Sequence, residues 1–386
     1  MRWLVTAALL ALAAPAAAQQ PPPTEPPTAE VLRDRAAARL GVFEIADAAD
    51  ALEMLARLYP KEASAPDALR QAAALRLALG QQEAASNAVR AFERSYGRKA
   101  PNDTDELVMF VARTLSDDGA HELARSLVAR RPWRDPVDRI VALGIEGHAA
   151  LAAGKSRDAD EAFDAILGQT DRVGAMRALS RGIGDDAAAV RRLGTALTVV
   201  GEARHRRARA KRDALALDRV PRFRGPRERQ RLDRFFRDEI GPWLTDKHAA
   251  IEAAEEAYIS VLRIEPAPPP QWVIASGADV AAMWSELLDA IESLPEPALD
   301  RSLLDIYRSS MDHVASPILR RAKQAARICV DYGTKYWIAN EDTRRCERWL
   351  VDRFPEEYVP TVTLGLRGSH VAVPNPPRAL QRGETD

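Results

Sequence analysis

Ile140 to Leu167, IVALGIEGHAALAAGKSRDADEAFDAIL, reads as two short amphipathic helices folded back on each other at Ala153-Gly154. Leu143, Gly147 and Leu151 recur at helical spacing before the turn, and Ala159, Phe163 and Ile166 recur after it, so each segment has one apolar face to bury. Neither segment buries that face alone. Small residues at 147 and 159 allow two helices to approach closely, and Phe163 is large enough to fill the seam beside them.

Similar hairpins are expected upstream at uneven spacing. Val31 to Leu40 pairs with Ala46 to Leu58, closed by Pro60; Ala68 to Leu79 pairs with Glu83 to Phe92 across Gly80; Glu106 to Leu115 pairs with Ala120 to Val128 across Gly119. Ala72, Ala73, Ala85 and Val89 take repeat-like positions in the second. A small residue midway through the first helix, then alanine and, four residues on, an aromatic in the second resembles a tetratricopeptide repeat. That resemblance implies an all-α solenoid of helical hairpins that serves as a binding scaffold. A non-repeating helical bundle is the alternative architecture.

The chain has 386 residues, with 55 Lys and Arg against 56 Asp and Glu and a net charge of −1, so no global charge bias points to nucleic acid or an acidic membrane. Met1 to Ala18 carries Arg2, an apolar run from Trp3 to Ala14 and small residues before Gln19, the order of a secretory signal peptide (1–18) cleaved after Ala18. The run is shorter than the roughly 20 residues a spanning helix needs, and no cysteine follows it to carry lipid. A Pro-rich tether (19–27) comes next, then the repeats (28–172). The expected location is the periplasm, without a membrane span.

From Ala187 to Ile264 the pattern lengthens, with stripes at Val190, Leu193, Leu197 and Val200 and at Ala254, Tyr258 and Val261; residues 173–265 are expected as long helices with a basic arm. The arm collects Arg204, Arg206, Arg207, Arg209, Lys211, Arg212, Arg219, Arg222, Arg224, Arg227, Arg229 and Arg231 around Pro221, Gly225 and Pro226. Clustered arginine concentrates anionic partners, so Arg204, Arg206, Arg207, Arg209, Lys211, Arg212, Arg222 and Arg224 form the candidate partner site for an envelope protein, an anionic cell-wall polymer or lipid headgroups. The same run also reads as a solvated face in an arginine-rich chain. Nucleic acid is not expected of an exported chain whose arm lacks base-stacking aromatics.

Four prolines between Pro266 and Pro270 set off a C-terminal helical unit (266–358). Its expected helices are Val273 to Ile291, Leu303 to Val314, Ile318 to Tyr332 and a last one capped by Asn340; an extended arm and disordered tail (359–386) follow, with Val359 to Val373 as an edge strand or wrapping arm. Cys329 and Cys346 are the only cysteines, on faces that meet in an antiparallel hairpin, and export favours a disulfide between them. The order Ala254 to Tyr258, Trp272, Leu294-Pro295-Glu296-Pro297, Cys329 and Cys346 resembles periplasmic tetratricopeptide-repeat proteins of myxobacteria and their relatives. Some of those belong to envelope complexes of gliding motility.

No nucleophile with a base, metal spacing or phosphate cradle emerges. His121, His148, His205, His248, His313 and His370 are scattered; Gly182 and Gly184 lack the context of a dinucleotide loop; Asp185-Asp186 and Glu255-Glu256 read as solvated or helix-starting acids. Trp284, Trp337 and Trp349 read as core more readily than as a pocket lining. The expectation is therefore a non-enzymatic scaffold with no catalytic residue, metal or cofactor. The alternative, a cell-wall hydrolase or transferase with a helical-repeat accessory region, would need its catalytic part in Trp272 to Tyr358.

Overall fold

A computed structural model describes residues 26–359 apart from 130, 172–173, 182–185, 225–227 and 297–298. The signal peptide, most of the tether, Arg227, the Gly182 and Gly184 loop and the arm and tail from 360 onward lie outside the described residues. All regular structure among the described residues is helical. In order, the helices are α1 (Ala29–Gly41), α2 (Ile45–Leu58), α3 (Ala65–Ala78), α4 (Gln82–Tyr96), α5 (Pro101–Asp117), α6 (His121–Val128), α7 (Pro136–Ala152) and α8 (Ser156–Thr170). They continue with α9 (Ala175–Arg181), α10 (Ala187–Leu215), α11 (Arg229–Phe235), a π-helical turn (Phe236–Ile240), α12 (Gly241–Leu262), α13 (Pro270–Glu292), α14 (Arg301–Tyr336) and α15 (Glu341–Arg353). The chain divides into two compact units, 1–107 and 108–386.

The hairpins α1–α2, α3–α4, α5–α6 and α7–α8 close in one way. Phe43, Gly80, Gly119 and Gly154 occupy the left-handed region, with φ of 60°, 69°, 82° and 70°. The next amide returns to a carbonyl in the last turn: Glu44 donates to Arg39 O at 2.9 Å, and Gln81, Ala120 and Lys155 donate to Arg76, Leu115 and Ala150 at 2.8 Å. This closure satisfies carbonyls that a helix end would leave bare, and glycine is its usual occupant because a Cβ is strained there. Five positions after each turn stands an alanine with no exposed surface: Ala48, Ala85, Ala124 and Ala159. Four further on, Leu52, Val89, Val128 and Phe163 are buried.

The quoted stretch packs as its spacing requires. A Cβ on Gly147 would lie 2.9 Å from two ring atoms of Phe163, so only glycine lets α7 come this close to α8. Asp135 caps α7 by accepting from the Val137 amide at 2.7 Å, and Pro136 fills the first turn, where no amide partner is needed.

In the second unit, α10, α12, α13, α14 and α15 contribute to one core around Trp284, Tyr258, Ile274, Met283, Leu287, Ala322, Cys329 and Leu350. The segments 173–265 and 266–358 thus share a core, because the stripe ending α10 and the face of α12 are completed by α13. The expected pair Leu303 to Val314 and Ile318 to Tyr332 is instead one helix, α14, which runs through Pro317. A mid-helix proline costs about 3 kcal/mol. Packing of α14 along α13, which buries Ile318, Ala322, Ala325 and Cys329, outweighs that local cost. The short α9 has no counterpart in the sequence reading. Asn340 caps α15 as expected, accepting from the Thr343 amide at 2.9 Å.

Candidate functional site

The structure divides the basic arm into a paired half and an exposed half. The paired half lies on α10, a helix flanked by acids that are distant in sequence. Arg204 donates to Ser260 O at 2.6 Å and lies 3.3 Å from Asp171; Arg207 lies 2.9 Å from Asp171 and 3.5 Å from Asp164. Arg206 sits 3.8 Å from Asp160, with its guanidinium 4.8 Å from the centre of the Phe163 ring. Burial lowers the pKa of Arg204, opposed by Asp171. These three arginines hold α10 against α8 and α12.

Arg212 reaches a buried hub on α13. Asp279, 6% exposed, accepts from Arg212 Nη1 at 2.5 Å and Arg345 Nη2 at 3.3 Å through one carboxylate oxygen. Its other oxygen accepts from the Tyr258 hydroxyl at 2.9 Å and lies 3.3 Å from His205 Nε2. The His205 ring is flanked by Tyr258 and Trp272, at centroid distances of 5.4 and 5.1 Å. Burial alone would raise the Asp279 pKa, but His205, Arg212 and the Tyr258 hydroxyl together hold it down at about 2. Burial and the same carboxylate push Tyr258 well above the usual phenol range. An acceptor surrounded in this way is a latch between α10, α12, α13 and α15.

Arg209, Lys211, Arg222 and Arg224 are exposed and make no ion pair among the described residues. The arm does hold one aromatic between its arginines: Arg222 and Arg224 flank half-buried Phe223, whose ring centre lies 5.2 Å from that of Phe235, so it is engaged in anchoring the segment after α10 to α11. Around them opens a cavity of about 970 Å³ lined by Arg219, Arg222, Arg224, Arg231, Arg234, Val220, Phe223, Phe235, Asp238 and Glu239. Five guanidinium groups face two carboxylates, leaving the wall net positive. Of the arm's other arginines, Arg231 lies 3.4 Å from Glu228 and Arg229 4.0 Å from Asp233.

The unit 1–107 carries its own groove, of about 780 Å³. Ala51, Ala84, Ala88 and Ala91 line it with small side chains, while Arg35, Arg57, Arg94, Asp47, Asp50, Asn87 and Ser95 are its exposed polar groups. Buried Arg76 bonds Glu53 at 2.9 Å and also Asp50 and Gln81, which ties α2 to the turn after α3.

Several pairings are invisible in one dimension. His148 Nε2 lies 2.7 Å from Glu202, which raises the histidine's pKa against the opposing effect of burial. Glu255 is not simply solvated, since it accepts from Trp284 Nε1 at 3.1 Å and pairs with Arg321 at 3.3 Å. Asp186 does start a helix, accepting from the Ala188 amide at 3.1 Å. Trp284 is fully buried, whereas Trp337 is 81% exposed with φ of 57° and belongs to no core. Cys329 and Cys346 stand at disulfide distance, with Cα atoms 6.4 Å apart. No helix of the described residues is long and apolar enough to cross a membrane. No protein-family model matches the chain, and no curated protein is significantly similar to it.

Proposed function

We propose that the chain is an exported, non-enzymatic scaffold of the cell envelope that holds other envelope proteins on its helical-hairpin surface. The observation that carries this reading is the groove on α2 and α4. Its alanines leave room for a partner backbone, and its charged and amide groups surround that space at the surface. The recurring turn and buried alanine of each hairpin support a tetratricopeptide-like style of repeat. The exposed half of the arm, Arg209, Lys211, Arg222 and Arg224, supplies a second, anion-seeking face. Periplasmic placement is supported by the order of Met1 to Ala18 and by two cysteines set to pair, since disulfides persist in oxidising compartments.

Photo-crosslinking tests the groove directly. A crosslinking residue at Asn87 should trap a discrete partner in cells, whereas one at Arg33, exposed and outside the groove, should not. Equal crosslinking from both positions would remove the groove from the account.

A further inference from the structure

We propose that the arginine-lined cavity and a second cavity beside it form one binding site for an anionic single-chain amphiphile. This deepens the reading of the exposed arm as an anion-seeking face and is independent of the groove in 1–107. The second cavity has a volume of about 410 Å³, within the usual range for small-molecule pockets. Val220 lines both cavities, so they adjoin at that half-buried side chain.

The two compartments differ in chemistry. In the larger one, Arg219, Arg222 and Arg224 are exposed and unpaired among the described residues, and guanidinium groups suit carboxylate, sulfate or phosphate oxygens. The Phe223–Phe235 contact anchors the backbone that carries Arg222 and Arg224, which removes part of the ordering cost of binding.

The smaller compartment is lined by half-buried Leu215, Trp243 and Ala290 over the buried side chains of Ile251, Met283 and Leu287. Of the three cations on its wall, Arg212 and Lys247 are already satisfied, and Arg209, unpaired among the described residues, shares the wall with the carboxylates of Asp213, Asp218 and Glu286. Arg212 is held by Asp279 and Glu286, and Lys247 by the Asp218 carboxylate and the carbonyls of Leu215 and Asp218. An incoming anion therefore gains little there, while an alkyl chain gains apolar contact. A bare anion would leave the apolar compartment unused, and a neutral amphiphile would leave the arginines unused. Only a ligand with both parts matches both halves.

Calorimetric titration of the full chain with dodecanoate, octanoate, dodecyl maltoside and inorganic phosphate, each below any micelle concentration, tests this. Dodecanoate is expected to bind saturably at one site, at least tenfold tighter than each of the other three. Burying each additional methylene strengthens binding by roughly fourfold while the cavity has room. Arg222→Ala with Arg224→Ala should weaken dodecanoate about tenfold and leave dodecyl maltoside unchanged. Met283→Trp, which adds bulk to the apolar wall, should weaken dodecanoate and leave phosphate unchanged; Ala290→Trp, at a half-buried position that lines the smaller cavity and not the larger, serves the same purpose if the first variant does not fold. Absence of saturable dodecanoate binding overturns the proposal. So does equal binding of dodecyl maltoside that ignores the arginines, which would indicate a plain apolar surface. Equal binding of phosphate and octanoate would reduce the site to an anion cradle and overturn it too.

Discussion

Replacing Asp279 by Asn removes the charge at the centre of the hub while preserving shape and an acceptor for the Tyr258 hydroxyl. Breaking a buried ion pair by removing one partner costs about 3–5 kcal/mol. Arg212 keeps Glu286 at 3.6 Å and Arg345 keeps Asp342 at 3.2 Å, so the expected loss is smaller, roughly 2–3 kcal/mol. The pH dependence gives an independent signature. Asp279 titrates at about 2 in the folded chain, below its ordinary value of 3.8, so its stabilising contribution is complete above the unfolded value and is lost as pH falls through the folded one. That contribution is about 2 kcal/mol, and roughly half of it disappears by pH 3. Urea unfolding followed by tryptophan fluorescence is a suitable assay, because every tryptophan among the described residues belongs to the unit 108–386. Between pH 5 and pH 3 the wild type should lose about 1 kcal/mol more than the variant. A variant within ~0.5 kcal/mol of wild type at pH 7, with the same pH slope, would refute the latch.

Further substitutions probe the rest of the fold. Gly147→Ala should destabilise by about 1–3 kcal/mol through its clash with Phe163, and Phe163→Leu in the same chain should recover part of that loss in thermal unfolding. Phe43→Gly should be neutral to stabilising, by up to ~1 kcal/mol, because an exposed side chain leaves a left-handed position; a loss of stability would show that the ring is held by contacts. Reducing the Cys329–Cys346 pair should cost roughly 3 kcal/mol, and mass spectrometry of the unreduced protein should find no free thiol. Arg222→Glu with Arg224→Glu should leave thermal stability within about 0.5 kcal/mol, since both side chains are exposed and unpaired; a larger drop would make the arm structural.

What the sequence made legible was local. The close approach of Gly147 and Phe163 and the turns at Gly80, Gly119 and Gly154 follow from periodicity and one residue type. The first hairpin closes in the same way, but Phe43 stands where glycine does in its sisters, so the shared turn at α1–α2 shows only in the backbone. At Pro317 local chemistry argued for a break, and only the α13 contact explains why α14 continues. The arm reads as one basic run, yet its division depends on Asp171, Ser260 and Asp279, residues that sequence spacing does not associate with it. The Asp279 hub is hidden for the same reason, since its members come from four different helices.

The scaffold reading is tested most directly by incubating the purified full chain with envelope extract and, separately, with peptidoglycan. The wild type should retain a defined envelope protein that is lost when Asn87→Ala is combined with Arg57→Glu and Arg94→Glu in the groove, and no soluble fragments should be released from peptidoglycan. Release of fragments by the wild-type chain, or retention unaffected by the groove substitutions, would contradict it.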